Sequence, residues 1–346
     1  VQRAVILGGT GAVGRAAAER LLADGWDVDV TGRDAAHMPA ELANNGARFI
    51  TSDRTNAGQL RSAIGDGADL VVDCVCYTAE HSGLLVPLLG DIGSTVMISS
   101  KGVYADYLGN HSNSDVAPNY GGPITEEHPT VAPGNGDYNS REGYGANKVA
   151  AELTLLDSGH PVTILRPSKI HGVGAARPRE WVFAKRALDG REALFLAHSG
   201  TGIDHTTAAV NLASLIATVA DNPGQRILNS ADPDAPSALE IARAVAGILG
   251  WRPEEILLDD DVISVIGRTP WDAPHPIVLD MSASLALGYQ PVGTFAETVR
   301  PEIEWLANAD PADLPNDDDS FFAQFFDYPN EDIYLDARRL QRSLLQ

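Results

Sequence analysis

Short apolar runs alternate with longer stretches of helical periodicity through the first half of the chain. Ala4-Val5-Ile6-Leu7 has the unbroken apolar character of a buried strand, and residues 12–24 repeat their apolar positions as a helix does. Val28-Asp29-Val30, Ala47-Arg48-Phe49-Ile50, residues 69–75 and Thr95-Val96-Met97-Ile98 continue the strand series, with helical segments near 56–65 and 79–92. Strands spaced by helices imply right-handed βαβ crossovers, a parallel sheet and helices on both faces. The expected fold is therefore α/β, a Rossmann-like doubly wound sheet whose ligands sit at the carboxyl ends of the strands.

Residues 106–140 break this rhythm. They are rich in Gly, Asn, Pro and Asp and too long for a simple connector, which marks them as a site-lining loop. A helix follows from about Tyr144 to Leu156, then the strand Val162-Thr163-Ile164-Leu165. Beyond Pro167 helices fall near 178–189, 206–221, 237–249 and 295–307, with short strands between. The pattern predicts a dinucleotide-type domain over 1–175, joined by part of 205–230. A smaller, mainly substrate-binding lobe spans 176–309, and an acidic, Phe-rich tail 310–346. In the tail, Asn316-Asp317-Asp318-Asp319-Ser320-Phe321-Phe322-Ala323-Gln324-Phe325-Phe326 is too apolar at its phenylalanines to stay free, so it is expected to dock on the body or on a second subunit.

Composition narrows the function. With 25 Lys and Arg against 47 Asp and Glu, the formal charge is −22. Such a surface repels phosphate backbones, and no basic stripe offsets it, so nucleic acid is not an expected partner. The two cysteines, Cys74 and Cys76, cannot build a tetrahedral metal site and read as reduced thiols in a core strand; no metal is expected. No apolar stretch approaches the roughly 20 residues that span a bilayer. A strand begins almost at once with no signal-peptide pattern, so no membrane partner and a cytoplasmic location are the expectation.

The turn after the first strand reads Gly8-Gly9-Thr10-Gly11-Ala12-Val13-Gly14. Gly8 permits a tight turn, Gly11 lets backbone approach a pyrophosphate, and Gly14 lets helix pack close to strand. Thr10, Ala12 and Val13 complete the cradle, in which phosphates meet free N–H groups at a helix N-terminus. At the end of the second strand stands Val30-Thr31-Gly32-Arg33-Asp34. An NAD site places an acid where Gly32 falls; Arg33 instead offers charge to a 2′-phosphate, unless it pairs with Asp34. NADP(H) is the expected cofactor, with NAD(H) the alternative. Asp53 either contacts the adenine edge or caps the following helix.

Tyr144-Gly145-Ala146-Asn147-Lys148 opens the helix after the long loop. Residues four apart share a helix face. A phenol ordinarily titrates at about pH 10, and a neighbouring ammonium favours its phenolate, poising it to exchange a proton with a substrate oxygen. Ser99-Ser100, ending the preceding strand, places a hydroxyl at the sheet edge where a carbonyl would lie.

Together these pieces resemble the extended short-chain dehydrogenase/reductases, the NAD-dependent epimerase/dehydratase family. Matching motifs are the glycine turn, Ile98-Ser99-Ser100-Lys101-Gly102-Val103-Tyr104, Thr125-Glu126-Glu127-His128-Pro129, the Tyr144 and Lys148 pair with Glu152, and Leu165-Arg166-Pro167-Ser168-Lys169-Ile170-His171-Gly172. The likeness covers residues 4 to about 175, weakens to about 305 and is absent from the tail. It implies Ser100 as the catalytic hydroxyl, Tyr144 as acid/base, Lys148 as the partner that also binds ribose, and Arg166 and Pro167 beside the nicotinamide. It implies a homodimer through the Tyr144 helix. Gly32-Arg33 and the Val103-Tyr104 region also resemble the branch containing chloroplast stem-loop-binding proteins, whose nucleic-acid role the −22 charge opposes.

Two departures matter. Nucleotide-sugar members carry an arginine where Asp204 precedes His205-Thr206-Thr207-Ala208, and an aspartate facing a diphosphate is repulsive. His171 replaces the family's usual tyrosine after Arg-Pro; it and His205 are either structural or substrate-contacting. The leading expectation is an NADP(H)-dependent carbonyl reductase or alcohol dehydrogenase acting on a small molecule that is not a nucleotide sugar. The alternatives are a sugar epimerase or dehydratase that recycles its nicotinamide, and a non-catalytic NADP(H) sensor.

Overall fold

The computed structural model describes residues 1–344 apart from 260–265, 311, 313 and 316–318. The chain opens with β1 (Arg3–Leu7), α1 (Ala12–Ala23), β2 (Asp27–Gly32), α2 (Ala40–Asn44), β3 (Arg48–Thr51), α3 (Ala57–Ile64) and β4 (Ala68–Asp73). It continues through α4 (Ala79–Leu85), β5 (Ile92–Ile98), α5 (Arg141–Leu156) and β6 (Val162–Pro167). Next come β7 (Lys169–His171), α6 (Trp181–Leu188), β8 (Ala193–Leu196), β9 (Thr206–Ala208), α7 (Ala209–Asp221) and β10 (Arg226–Ser230). Last are α8 (Ala238–Leu249), β11 (Glu254–Leu257), α9 (Ser282–Ala286), α10 (Phe295–Thr298), α11 (Arg300–Asn308) and α12 (Tyr328–Leu344).

Seven strands form one sheet in the order β10-β6-β5-β4-β1-β2-β3, every adjacent pair parallel. Strand side chains alternate between the two faces of the sheet. Ala4, Ile6, Val28, Val30 and Val72 pack under α1 and α7 through Ala17, Leu21, Leu212 and Ile216. Val5, Leu7, Val71, Met97 and Ile164 meet Leu60, Leu85, Ala151 and Leu155 of α3, α4 and α5 on the other face. This is the expected doubly wound α/β sheet, with β10 from the 205–230 stretch at its edge.

A second core gathers α6, α8, α10 and α11 around Trp181, Phe183, Ile241, Trp271, Phe295 and Ile303. Phe322 and Phe325 are buried in it and Phe321 and Phe326 pack against it, so the tail docks on the chain's own body. Asn316, Asp317 and Asp318 of the acidic run lie outside the described residues.

Several boundaries differ from the sequence reading. The Tyr144 helix starts a turn earlier because Ser140 Oγ accepts the Gly143 N–H at 2.9 Å. The segment beginning at 206 is first a strand, since Thr206–Ala208 pairs with β7. The helix expected over 295–307 is two, α10 and α11, with Pro301 in the first turn of the latter. Cys74 and Cys76 lie just past β4 rather than within it, and both are free thiols. No helix among the described residues is long and apolar enough to cross a membrane.

Candidate active site

The glycine turn joins β1 to α1 at the centre of the sheet. Gly8 has φ +78°, a left-handed conformation that glycine adopts without strain. A Cβ on Gly14 would stand 2.5 Å from Gly9 Cα and 2.6 Å from Gly8 O, so the helix meets the turn backbone to backbone. Gly9 has an equally strict role that the spacing argument missed, since a Cβ there would lie 2.5 Å from Val30 Cβ. Gly11 occupies the cap position of α1 and no side chain caps the helix. The cradle therefore fits a pyrophosphate, with first-turn N–H groups open to its oxygens. Ala12 and Val13 are buried and can offer backbone rather than side chains. Arg15 Nε donates to Thr10 O at 2.7 Å and pins the turn.

At the end of β2, Arg33 is exposed. Asp34 Oδ1 accepts from Ala36 N at 2.9 Å instead of turning to Arg33. A Cβ on Gly32 would come 3.1 Å from the Phe49 ring and 3.7 Å from the Thr10 methyl, so this glycine sits between Phe49 and the glycine turn. Asp53 Oδ1 accepts from the Thr55 N–H (2.9 Å) and hydroxyl (2.7 Å), while Asn56 caps α3. The Thr55 bonds, with a smaller contribution from the charge of Arg33, hold the Asp53 carboxyl below its ordinary range.

The residues expected to transfer a proton lie together at the carboxyl end of β5. Ser100 Oγ accepts from Gly102 N at 3.0 Å, which leaves its proton available to a substrate oxygen. A Cβ on Gly102 would lie 3.2 Å from Ser100 Oγ and 3.5 Å from Tyr144 Cε1, so hydroxyl and phenol ring flank the same glycine. Beneath them Lys148 Nζ donates to Cys76 O (2.7 Å) and Ile98 O (2.9 Å), and stands 6.0 Å from the centre of the Tyr144 ring. It lies 4.4 Å from the Tyr77 ring, which stacks on Tyr138. Burial, reinforced by neighbouring Tyr144, pushes the Tyr77 phenol up to about 12, which keeps it protonated at neutral pH. Tyr77 and Tyr138 are neighbours of Lys148 that the sequence argument did not find; Tyr77 follows the end of β4 and Tyr138 lies in the long loop just before α5.

Ser99 is occupied elsewhere. Its hydroxyl donates to Glu152 Oε1 at 2.5 Å, and Arg166 grips the same carboxylate. The Arg166 guanidinium also lies 4.8 Å from the Tyr104 ring centre. Arg166, expected beside the nicotinamide, bonds Glu152 from β6 and so braces α5 against that strand. Pro167 does end β6 at the carboxyl edge of the sheet. Asn229 ties down this region: its Oδ1 accepts from Tyr104 Oη at 2.6 Å, just before the long loop, and its N–H donates to Glu126 Oε1 within the loop at 2.7 Å.

Both histidines are buried. His205 Nδ1 accepts from Leu279 N at 3.1 Å, which makes Nε2 the donor to the carbonyls of Asp232 and Asp234. His171 Nε2 meets Asp232 Oδ2 at 3.0 Å. Burial disfavours its charge, but the Asp232 carboxylate outweighs that and raises the ring above its usual value. Asp204 corrects the repulsion argument: it pairs with Lys101 and, at 2.9 Å, with Lys169, so it is no bare anion.

Residues 8–179 match a family model described as NAD(P)H-binding. No curated protein matches the chain. Among solved structures, dTDP-glucose 4,6-dehydratase from Bacillus anthracis in complex with NAD is 15% identical, covering 88% of this chain and 96% of its own, with TM-score 0.66. WbmH of Bordetella bronchiseptica in complex with NAD+ is 19% identical, covering 89% and 99%, with TM-score 0.67. UDP-glucose 4-epimerase of Thermus thermophilus with NAD is 18% identical, covering 89% and 100%, with TM-score 0.63. Residues 8–179 are thus an NAD(P)H-binding domain, and the chain has the fold of the extended short-chain dehydrogenase/reductases.

Proposed function

We propose that the chain is an NADP(H)-dependent oxidoreductase that interconverts a carbonyl compound and its alcohol. The observation that carries this reading is the placement of Ser100 Oγ and the Tyr144 ring on either side of Gly102, above Lys148, at the edge of the sheet that carries the phosphate turn. When bound, the dinucleotide supplies or takes up the hydride. Ser100 orients the substrate oxygen by donating its free proton. Tyr144 gives its proton to that oxygen in reduction and takes it back in oxidation. Lys148, fixed by two carbonyls, offsets the negative charge left on Tyr144, and its remaining donor would help hold the ribose of a bound dinucleotide. Arg33, unpaired with Asp34, favours a 2′-phosphate. The test is NADPH oxidation with a panel of ketones and aldehydes. Tyr144→Phe is expected to lose about 10²-fold or more in kcat while still binding the dinucleotide. Unchanged turnover would remove Tyr144 from the chemistry.

A second reading, epimerase or dehydratase with recycled nicotinamide, is favoured by Asp204: engaged by Lys101 and Lys169, it is not the bare carboxylate that would argue against a phosphorylated sugar. That reading expects dinucleotide to survive purification, with no net NADPH consumption. The dinucleotide released on denaturing the purified protein separates the two: a stoichiometric amount for a recycled cofactor, little for a co-substrate that comes and goes.

A further inference from the structure

Helix α12 is fastened to the body by one side. Leu335 is buried in one core with Phe195 of β8 and Ile256 of β11, and the Tyr334 ring meets the Phe195 ring edge to face at 5.4 Å between centres. Glu331 takes Arg186 at 2.6 Å, while Arg338 and Arg342 reach Glu254 of β11 at 3.1 and 3.0 Å. On the other side, among charged residues, Ile333, Ala337, Leu340 and Leu344 all stand in solvent. Ile333 is 66% exposed, Leu340 65% and Leu344 85%, and no other helix among the described residues exposes more than one large apolar side chain. Their intervals of four, three and four residues are those of the seam by which two helices interlock.

We propose that this stripe is a self-association surface, on which a second copy of the chain lays its own α12 antiparallel. The proposal is independent of the oxidoreductase reading. Charge selects the occupant. Glu331, Asp332 and Asp336 balance Arg338, Arg339 and Arg342, so α12 is neutral in a chain of formal charge −22. Two copies, or one copy and an anionic membrane, repel over most of the surface but not here. The acids occupy the first half of the helix and the arginines the second, so an antiparallel pair sets opposite charges together and a parallel pair sets like charges together. A twofold contact is self-complementary: Ile333 falls opposite the partner's Leu344, and Ala337 opposite the partner's Leu340. On one flank Arg339, now paired with its own Asp336 at 3.1 Å, comes beside the partner's Asp336. The dimer contact that the family resemblance implies lies instead on α5, where Leu153 is the one large apolar side chain left exposed. Two heptads bury less than the roughly 800 Å² per partner of a stable complex, so the dimer is expected to dissociate on dilution.

Sedimentation velocity of the intact chain from about 1 µM to about 200 µM tests this. A monomer–dimer transition is expected within that range. Leu340→Glu should move its midpoint up by about tenfold or more with the melting temperature kept, because Leu340 touches no core, and Leu153→Glu should leave it in place. Asp336→Arg and Arg339→Asp should each weaken the dimer, and an equimolar mixture of the two should associate more tightly than either alone. A chain that stays monomeric throughout overturns the proposal. So does a dimer indifferent to Leu340→Glu, or one lost in Leu153→Glu, which would move the contact to α5. A monomer that co-sediments with vesicles of mixed neutral and anionic phospholipid would overturn it in favour of a membrane surface. A mixture no tighter than its components would overturn the antiparallel pairing.

Discussion

The guanidinium of Arg166 holds the carboxylate of Glu152 through two bonds, Nε to Oε1 at 3.0 Å and Nη2 to Oε2 at 2.5 Å, with both side chains buried. Removing one partner leaves the other charge buried and alone. Glu152→Ala is therefore expected to cost about 3–5 kcal/mol of stability, read from denaturant unfolding. A loss under about 1 kcal/mol, the value of an exposed pair, would show that water reaches Arg166.

The adjacent serines should separate cleanly. Ser99→Ala removes a bond inside this brace and is expected to lower stability by about 1–3 kcal/mol with little change in kcat. Ser100→Ala is expected to leave the melting temperature nearly unaltered and to lower kcat by about 10²-fold. The reverse outcome would reassign the catalytic hydroxyl to Ser99.

Arg33 is exposed and Asp34 is engaged with Ala36. Arg33→Ala should thus raise the dissociation constant for NADP(H) by about tenfold or more and leave NAD(H) nearly unchanged. Fluorescence titration with both dinucleotides decides it; equal losses for the two would mean Arg33 does not read the 2′-phosphate.

Glu302 gives a pH signature. Burial, then the charge of Glu180, raise its carboxyl well above the ordinary range, against the Gly172 N–H bond and Arg179, which lower it. A carboxyl whose pKa is higher folded than unfolded stabilises the fold below the unfolded value, about 4.3, and that contribution is lost as pH rises toward the folded value. Glu302→Gln keeps an acceptor for Gly172 but cannot ionise. Its melting temperature relative to the parent should climb between about pH 5 and pH 8. A constant difference across that range would mean Glu302 is already ionised in the fold.

The parallel sheet and its site edge were legible because each depends on local pattern. Buried strands read as apolar runs, and Gly8, Gly11, Gly14, Tyr144 and Lys148 sit on a strand–turn–helix and on one helical turn. What stayed hidden depends on contacts across the chain. Nothing near Arg166 reveals that its guanidinium turns inward to Glu152, and nothing near Asp204 reveals that Lys101 and Lys169 engage it. Helix α12 was missed because its exposed face is heavily charged and few of its residues, such as Leu335, reach a core.

Arg186 in α6 donates to Phe325 O and Glu331 Oε1, both at 2.6 Å, across separations of 139 and 145 positions. During synthesis α6 therefore emerges long before the segment that covers its guanidinium. Until Phe322 and Phe325 arrive, that part of the second core stays wet and an apolar groove stands open to chaperones or to neighbouring nascent chains. Cutting between α11 and Phe321 should accordingly yield insoluble protein rather than a trimmed enzyme.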